Sequence, residues 1–169
     1  MSDRLLILTG ASGAGKTEVA RACANSMSPK LSVFHFDDIG VPRIDEMIRE
    51  FGTGEAWQRA KTFEWIACLA KMGRPSMLFE GQMRISFILE ALAKYQIETA
   101  KILLLDCDEQ TRRQRLIEAR SQPDLANDQM MQWAEYLRLE AQEHACTILD
   151  TSALSVDETC KRVFDHLNP

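Results

Sequence analysis

Short apolar runs alternate with helix-length segments along the whole chain. This predicts an α/β fold: a five-stranded parallel sheet covered by helices on both faces, a three-layer αβα sandwich. Three observations carry the expectation. Five apolar runs have the length of strands buried on both faces. A helix-forming segment lies between each pair, which parallel strands need for their crossovers. No linker, low-complexity tract or repeat divides the 169 residues, so residues 1–169 read as a single domain.

The elements follow in order. Arg4–Thr9 is the first strand, around Leu5-Leu6-Ile7-Leu8. Gly15–Ser26 is a helix of good formers, broken by Ser28-Pro29. Leu31–Phe36 is the second strand, ending in a turn at Asp37-Asp38-Ile39-Gly40. Pro42 and Asp45 open a short helix to Phe51, and Gly52-Thr53-Gly54 separates it from a longer one, Glu55–Met72, stopped by Gly73-Arg74-Pro75. Ser76–Glu80 is the third strand and Ile85–Tyr95 the next helix. Thr99–Leu105 is the fourth strand, followed by a helix over Glu109–Ser121 and a break at Gln122-Pro123-Asp124. A helix over Ala126–Ala145 leads to the fifth strand, Cys146–Leu149. The last helix, Val156–Leu167, carries a capping box in Ser155 and Glu158.

Composition narrows the class. With 46% hydrophobic and 27% charged residues the chain is an ordinary globular one, and no apolar run approaches the ~18 residues of a membrane span. Met1-Ser2-Asp3-Arg4 leads straight into the first strand, leaving no room for a signal peptide. A net charge of −5 argues against a broad nucleic-acid surface. The five cysteines, Cys23, Cys68, Cys107, Cys146 and Cys160, are widely spaced and form no C-x-x-C, so zinc and redox motifs are absent. Most sit in apolar company as buried thiols, which fits a reducing cytoplasm. His35, His144 and His166 show no metal-ligand spacing.

Between the first strand and its helix stands Gly10-Ala11-Ser12-Gly13-Ala14-Gly15-Lys16-Thr17, the pattern G-x-x-x-x-G-K-[ST] of a phosphate-binding P-loop. Its glycines let backbone N–H groups converge on phosphate, and the helix N-terminus adds partial positive charge. Lys16 reaches the β- and γ-phosphates, and the Thr17 hydroxyl holds Mg²⁺. Ligands of open parallel sheets sit beyond the carboxyl ends of the strands. Those ends carry Asp37 and Asp38, Glu80, Asp106 and Asp108, and Asp150 with Thr151-Ser152-Ala153. Asp37 directly follows its strand and is the candidate general base for a hydroxyl acceptor, while Asp38 suits a cap. Glu80 closes a hydrophobic run, the Walker-B arrangement, and serves either the metal through water or the nucleophile. Arg84 can clamp an anionic group of the acceptor. Of Arg112, Arg113, Arg115 and Arg120 on one helix, Arg115 and Arg120 are the leading nucleotide contacts, Arg112 sharing a face with Arg115 and Arg113 with Arg120. Trp57, Lys61, Trp65 and Cys68 form one helical stripe, and Met130, Trp133, Ala134, Leu137 and Ala141 another; both read as core, except that Trp57 can wall an acceptor pocket.

Together the P-loop, the acid after the second strand, Glu80-Gly81-Gln82-Met83-Arg84 and the arginine-rich helix resemble the small P-loop kinases. These include nucleoside monophosphate kinases, shikimate and gluconate kinases and chloramphenicol phosphotransferase. The resemblance implies a P-loop NTPase sheet of order 2-3-1-4-5, ATP at the P-loop and a mobile lid after the fourth strand. It implies a loop at Thr151-Ser152 over the adenine, acceptor-binding helices over about 42–73, and a short lid over about 115–126. Arg43 and Trp57 then fall on the acceptor side with Asp37, Glu80 and Arg84. Glu80-Gly81-x-x-Arg84 is similar to the D-G-x-P-R of monophosphate kinases, with Gln82-Met83 in place of the aromatic and proline.

The leading expectation is an ATP- and Mg²⁺-dependent kinase that phosphorylates a hydroxyl of a small molecule. A monophosphate kinase is the alternative within the class, and a nucleotide-binding regulatory module the alternative outside it. Asp37-x-x-Gly40 looks like a GTPase D-x-x-G but follows the wrong strand, and no N-K-x-D is present. Neither membrane nor nucleic acid is an expected partner, and monomer and homodimer both stay open.

Overall fold

A computed structural model describes residues 4–26, 31–73 and 76–167. The breaks expected at Ser28-Pro29 and at Arg74-Pro75 lie outside the described residues. Strands β1 (Arg4–Thr9), β2 (Leu31–His35), β3 (Ser76–Glu80), β4 (Lys101–Asp106) and β5 (Thr147–Asp150) form one sheet in the order 2-3-1-4-5. Every pairing is parallel, with Leu8 opposite Glu80 and Leu103, and His35 opposite Glu80. The three-layer α/β architecture and its strand order are therefore as the sequence predicts.

Side chains alternate across the sheet and so build two cores. Leu6, Leu8, Leu78, Leu103 and Leu105 face helices α1 (Lys16–Ser26) and α7 (Val156–Leu167). Leu5, Ile7, Met77 and Phe79 face α3 (Gly54–Met72) and α4 (Ile85–Lys94), and Leu104 packs with α6 (Asp128–Glu143). Strand residues buried on both faces explain why β1 and β4 read as continuous apolar runs. The buried thiols of Cys23 and Cys160 meet at 2.9 Å and tie α1 to α7. Cys107 is also buried, Cys146 is partly covered and Cys68 is exposed.

Several boundaries differ from expectation. Phe36 leaves β2 and opens a 3₁₀ turn, Phe36–Ile39, because its ring packs edge-on against Trp57 at 5.8 Å and Trp65 Nε1 donates to its carbonyl at 3.0 Å. On α3 the buried face runs through Trp57, Thr62, Ile66 and Leu69, so Lys61 and Cys68 leave the proposed stripe. The stripe on α6 is core, with Ala134, Leu137 and Ala141 buried and Met130 and Trp133 packed around them. The helix expected over Glu109–Ser121 is α5 (Glu109–Gln114) followed by a π turn, Arg115–Ala119. Its backbone bonds widen from Arg120 N→Arg115 O (3.1 Å) to Gln122 N→Leu116 O (2.9 Å). A 3₁₀ turn at Pro123–Leu125 and the Asn127 N-cap then begin α6. The Ser155–Glu158 capping box starts α7 as expected.

The N-terminus of α4 is capped from another helix. Glu140 on α6, 6% exposed, accepts from Ile85 N at 2.6 Å, Ser86 N at 3.2 Å and the Tyr136 hydroxyl at 3.0 Å. Helix ends leave N–H groups that need partners, and here a buried carboxylate supplies them. Glu140→Ala should destabilise the fold by about 1–3 kcal/mol, the cost of stranding buried donors. Glu140→Gln, which keeps one acceptor oxygen, should cost less. Urea denaturation of the three proteins checks the ranking.

Candidate active site

The P-loop curls as its glycines require. Gly13 has a φ of +83°, and a Cβ there would lie 3.0 Å from the Arg112 side chain. At Gly10 a Cβ would lie 2.3 Å from the Leu105 carbonyl oxygen, so only glycine lets the loop pass over β4.

The carbonyls of Ala11 through Gly15 are held. Lys16 Nζ donates to Ala11 O at 3.1 Å, and Arg112 Nη1 donates to Ser12 O at 2.8 Å. Cys107 Sγ (3.6 Å) and Arg115 Nη1 (3.4 Å) share Gly13 O. Thr151 Oγ1 lies 3.2 Å from Ala14 O and 3.0 Å from Asp106 O, and Val19 N reaches Gly15 O at 2.9 Å. Ser12 turns its hydroxyl to Gln82 Oε1 at 3.1 Å.

Lys16 is 8% exposed, and burial lowers its pKa from 10.5 to about 8. Glu80 and Asp37 pull it back up, and Arg112 and Arg120 push it further down. Thr17 Oγ1 donates to Glu80 Oε1 at 3.2 Å. A hydroxyl beside a carboxylate, next to a phosphate cradle, is an all-oxygen donor pair suited to Mg²⁺. Among the described residues no group of three or more His, Cys, Asp or Glu is placed to hold a metal without such help. Asp37 is exposed on the 3₁₀ turn after β2, and its charge favours the protonated form of Lys16.

Two cavities flank this centre. One, of about 530 Å³, runs from Gly13–Val19 past Arg115 and Arg120 to Thr151, Leu154, Val156 and Thr159. Its lining passes from amides and cations to apolar side chains, the sequence a nucleotide needs from phosphate to base. Arg115 Nη1 and Nη2 also hold the Thr151 hydroxyl (2.9 Å) and carbonyl (2.7 Å), so the start of the π turn is tied to the loop after β5. The other, of about 350 Å³, is lined by Gly40, Val41, Pro42, Glu50, Phe51, Trp57 and Lys61.

The structure thus brings together Gly10–Thr17, Glu80, Arg115, Arg120 and Thr151, with Asp37 at the edge. It leaves other expected residues apart. Arg43 is largely exposed, pairs with Asp45 at 3.2 Å and lines neither cavity. Ser152 turns from the nucleotide-sized cavity to Asp150 Oδ1 (2.6 Å) and Asp108 N (2.8 Å). Arg84 is committed to the scaffold: it pairs with Glu55 at 3.0 Å and lies over the rings of Trp133, Tyr136 and Phe87 at 5.0, 4.8 and 5.7 Å. Arg113 bonds Glu109, Asp128 and Ala126 O, away from the cavity that Arg120 lines.

Three contributors were not legible as such. Arg112 reads as one arginine of four, yet it is 1% exposed and bonds both Ser12 O and Asp106 Oδ1 (2.6 Å). Gln58 holds the loop after β3, donating to Gln82 O at 2.9 Å and accepting from Arg84 N at 3.3 Å. His35, set aside for want of metal spacing, lies 2.6 Å from Glu80. Its position next to the expected carboxyl end of the strand beside β3 was the available signal.

No family model and no curated protein matches the chain in sequence. Solved structures match in fold. A shikimate kinase from Acinetobacter baumannii aligns with a TM-score of 0.66 at 16% identity, over 97% of this chain and 92% of its own. A sugar kinase from Janibacter sp. HTCC2649 gives 0.68 at 20% identity, over 99% and 95%. A thymidylate kinase from Candida albicans gives 0.63 at 16%, over 96% and 90%. The chain has the fold that these small P-loop kinases share.

The buried lysine gives the site a pH signature. Nucleotide phosphates favour the charged form of Lys16 and raise its pKa above the value of about 8 in the empty protein. Nucleotide affinity should therefore fall as pH rises above 8, and binding there should take up a proton. The empty protein should show the opposite trend, gaining stability as pH rises from about 8 towards 10.5, because the unfolded chain then binds the extra proton. Calorimetry in buffers of different ionisation enthalpy reads the proton uptake, and Lys16→Met should abolish it.

Proposed function

We propose that the chain is an ATP-dependent kinase that transfers the γ-phosphoryl group to a hydroxyl of a small-molecule acceptor. The observation that carries this is one sheet edge that holds the P-loop and the Thr17–Glu80 oxygen pair, with the carboxylate Asp37 on the turn after the neighbouring strand β2.

In this reading the amides of Gly13–Thr17 and Lys16 hold the β- and γ-phosphates. Thr17 would ligate Mg²⁺ directly and Glu80 through water; the ion when bound offsets phosphate charge and orients the γ-phosphoryl group. Asp37 orients the acceptor hydroxyl and takes its proton as the new O–P bond forms and the bond to the ADP oxygen breaks. Arg115 and Arg120, both within a short lid over about 115–126, face the charge that gathers on the transferred group. The helices over about 42–73 supply the acceptor side, where Trp57 and Phe51 wall the smaller cavity.

Among the structural neighbours, shikimate kinase and sugar kinase name hydroxyl-bearing acceptors, and thymidylate kinase names a monophosphate. Arg84 favours the first kind here. The position that resembles the phosphate-reading arginine of monophosphate kinases is already occupied by Glu55 and three aromatic rings. No helix of the described residues is long and apolar enough to cross a membrane. The unpaired thiols fit a reducing cytoplasm.

ADP release from Mg-ATP, measured across hydroxylated metabolites, sugars, antibiotics and nucleoside monophosphates, tests the reading. Acceptor-dependent release should appear with hydroxyl compounds and vanish in Lys16→Ala. Asp37→Asn should bind ATP normally while kcat falls by about 10²–10⁴-fold, the usual worth of a general base. Near-full transfer by Asp37→Asn would place the base elsewhere.

A further inference from the structure

The expected Walker-B acid is held from a side that the motif does not describe. Glu80 is 5% exposed, and its Oε1 has two neighbours on different elements: Thr17 Oγ1 at 3.2 Å and His35 Nδ1 at 2.6 Å. The backbone sets up the second contact. His35 and Glu80 are register partners at the carboxyl ends of β2 and β3. Phe34 on β2 and Phe79 on β3 face the α3 layer, while Val33 and Leu78 face α1. Period-two alternation then puts His35 and Glu80 on the face from which Thr17 also points. A carboxylate can only accept, so the imidazole donates from Nδ1 and leaves Nε2 outward.

We propose that His35 is a positioning residue for the metal site: its Nδ1–H bond fixes the Glu80 carboxylate on Oε1, beside Thr17, so that Oε2 is presented to the cation of the metal–nucleotide complex. Partners of this kind orient a carboxylate before the metal arrives and so lower the cost of binding it. A seam joining β2 to β3 would need no such contact, because the two strands are already paired from Leu31 through His35. The inference rests on reading the cleft as a metal–nucleotide site and is independent of the acceptor.

Mn²⁺ as the probe, followed by electron paramagnetic resonance in the presence of ADP, tests it without phosphoryl transfer. His35→Ala should weaken Mn²⁺ binding to the ADP-bound protein by about tenfold and leave metal-free ADP affinity unchanged. His35→Asn places an amide near the Nδ1 position and should restore most of the affinity; His35→Gln, whose amide lies near Nε2, should not. This pair decides the matter even if His35→Ala fails to fold. In a Glu80→Ala background His35→Asn and His35→Gln should bind Mn²⁺ alike, since the contact they reproduce is gone. Equal Mn²⁺ affinity in unsubstituted protein, His35→Asn and His35→Gln would overturn the proposal. So would an undiminished Asn–Gln difference after Glu80→Ala, or the absence of ADP-dependent Mn²⁺ binding in the unsubstituted protein. ADP release with an acceptor is scored separately, so loss of the positioning role and loss of the kinase reading give different results.

Discussion

A loop that aims its N–H groups at phosphate must leave its carbonyls pointing outward into protein. Buried carbonyls need donors, and a loop built of glycine, alanine and serine can supply few of its own. The chain meets this constraint with side chains gathered from distant elements. Lys16 returns to Ala11, Arg112 reaches Ser12, Cys107 and Arg115 reach Gly13, and Thr151 reaches Ala14. These donors come from α1, the loop after β4, the helix that follows it, and the loop after β5. The loop backbone is therefore held from several elements of the sheet edge at once.

Charge follows from the same arrangement. Asp106, at the end of β4, receives Arg112 on one oxygen and Arg138 on the other at 2.6 and 2.7 Å. Removing either partner from a buried pair is costly, which makes Arg112 a fixed strut under the P-loop rather than a mobile ligand contact. Arg115 mixes both roles, bonded to Thr151 yet lining the cavity. Arg120 has its backbone at the end of the π turn and lines the cavity from there. A π turn brings residues five apart towards one side, which an α-helix does not, and so Arg115 and Arg120, which α-helical spacing put on different faces, line one cavity.

The opposite edge is built from aromatic packing. Phe36, Trp57, Trp65 and Phe79 interlock and bend the chain out of β2 into the 3₁₀ turn that carries Asp37. Gln58, one residue along α3 from Trp57, holds the backbone after β3. Glu55 on the same helix takes Arg84. One helix therefore fixes the exit of β2, the loop after β3 and the side chain of Arg84.

The sequence by itself determined the order of strands and helices, because apolar runs and breakers are local signals. It also determined the P-loop, because Gly10, Gly13, Gly15, Lys16 and Thr17 act through backbone freedom and atoms that lie close along the chain. The places of Glu80 and Asp37 beside strand ends were legible for a similar reason: the carboxyl end of a parallel strand is a place that residue order alone defines. Only the tertiary structure decided how the arginines divide between strut and cavity lining, that Arg43 and Ser152 line neither cavity, and that Arg84 packs on Glu55 and aromatic rings. It alone revealed Glu140 as the cap of α4 and His35 as the partner of Glu80. Each of those roles depends on a contact between elements far apart in sequence, and the free energy of such a contact is set by burial and direction, which no residue carries in its own name.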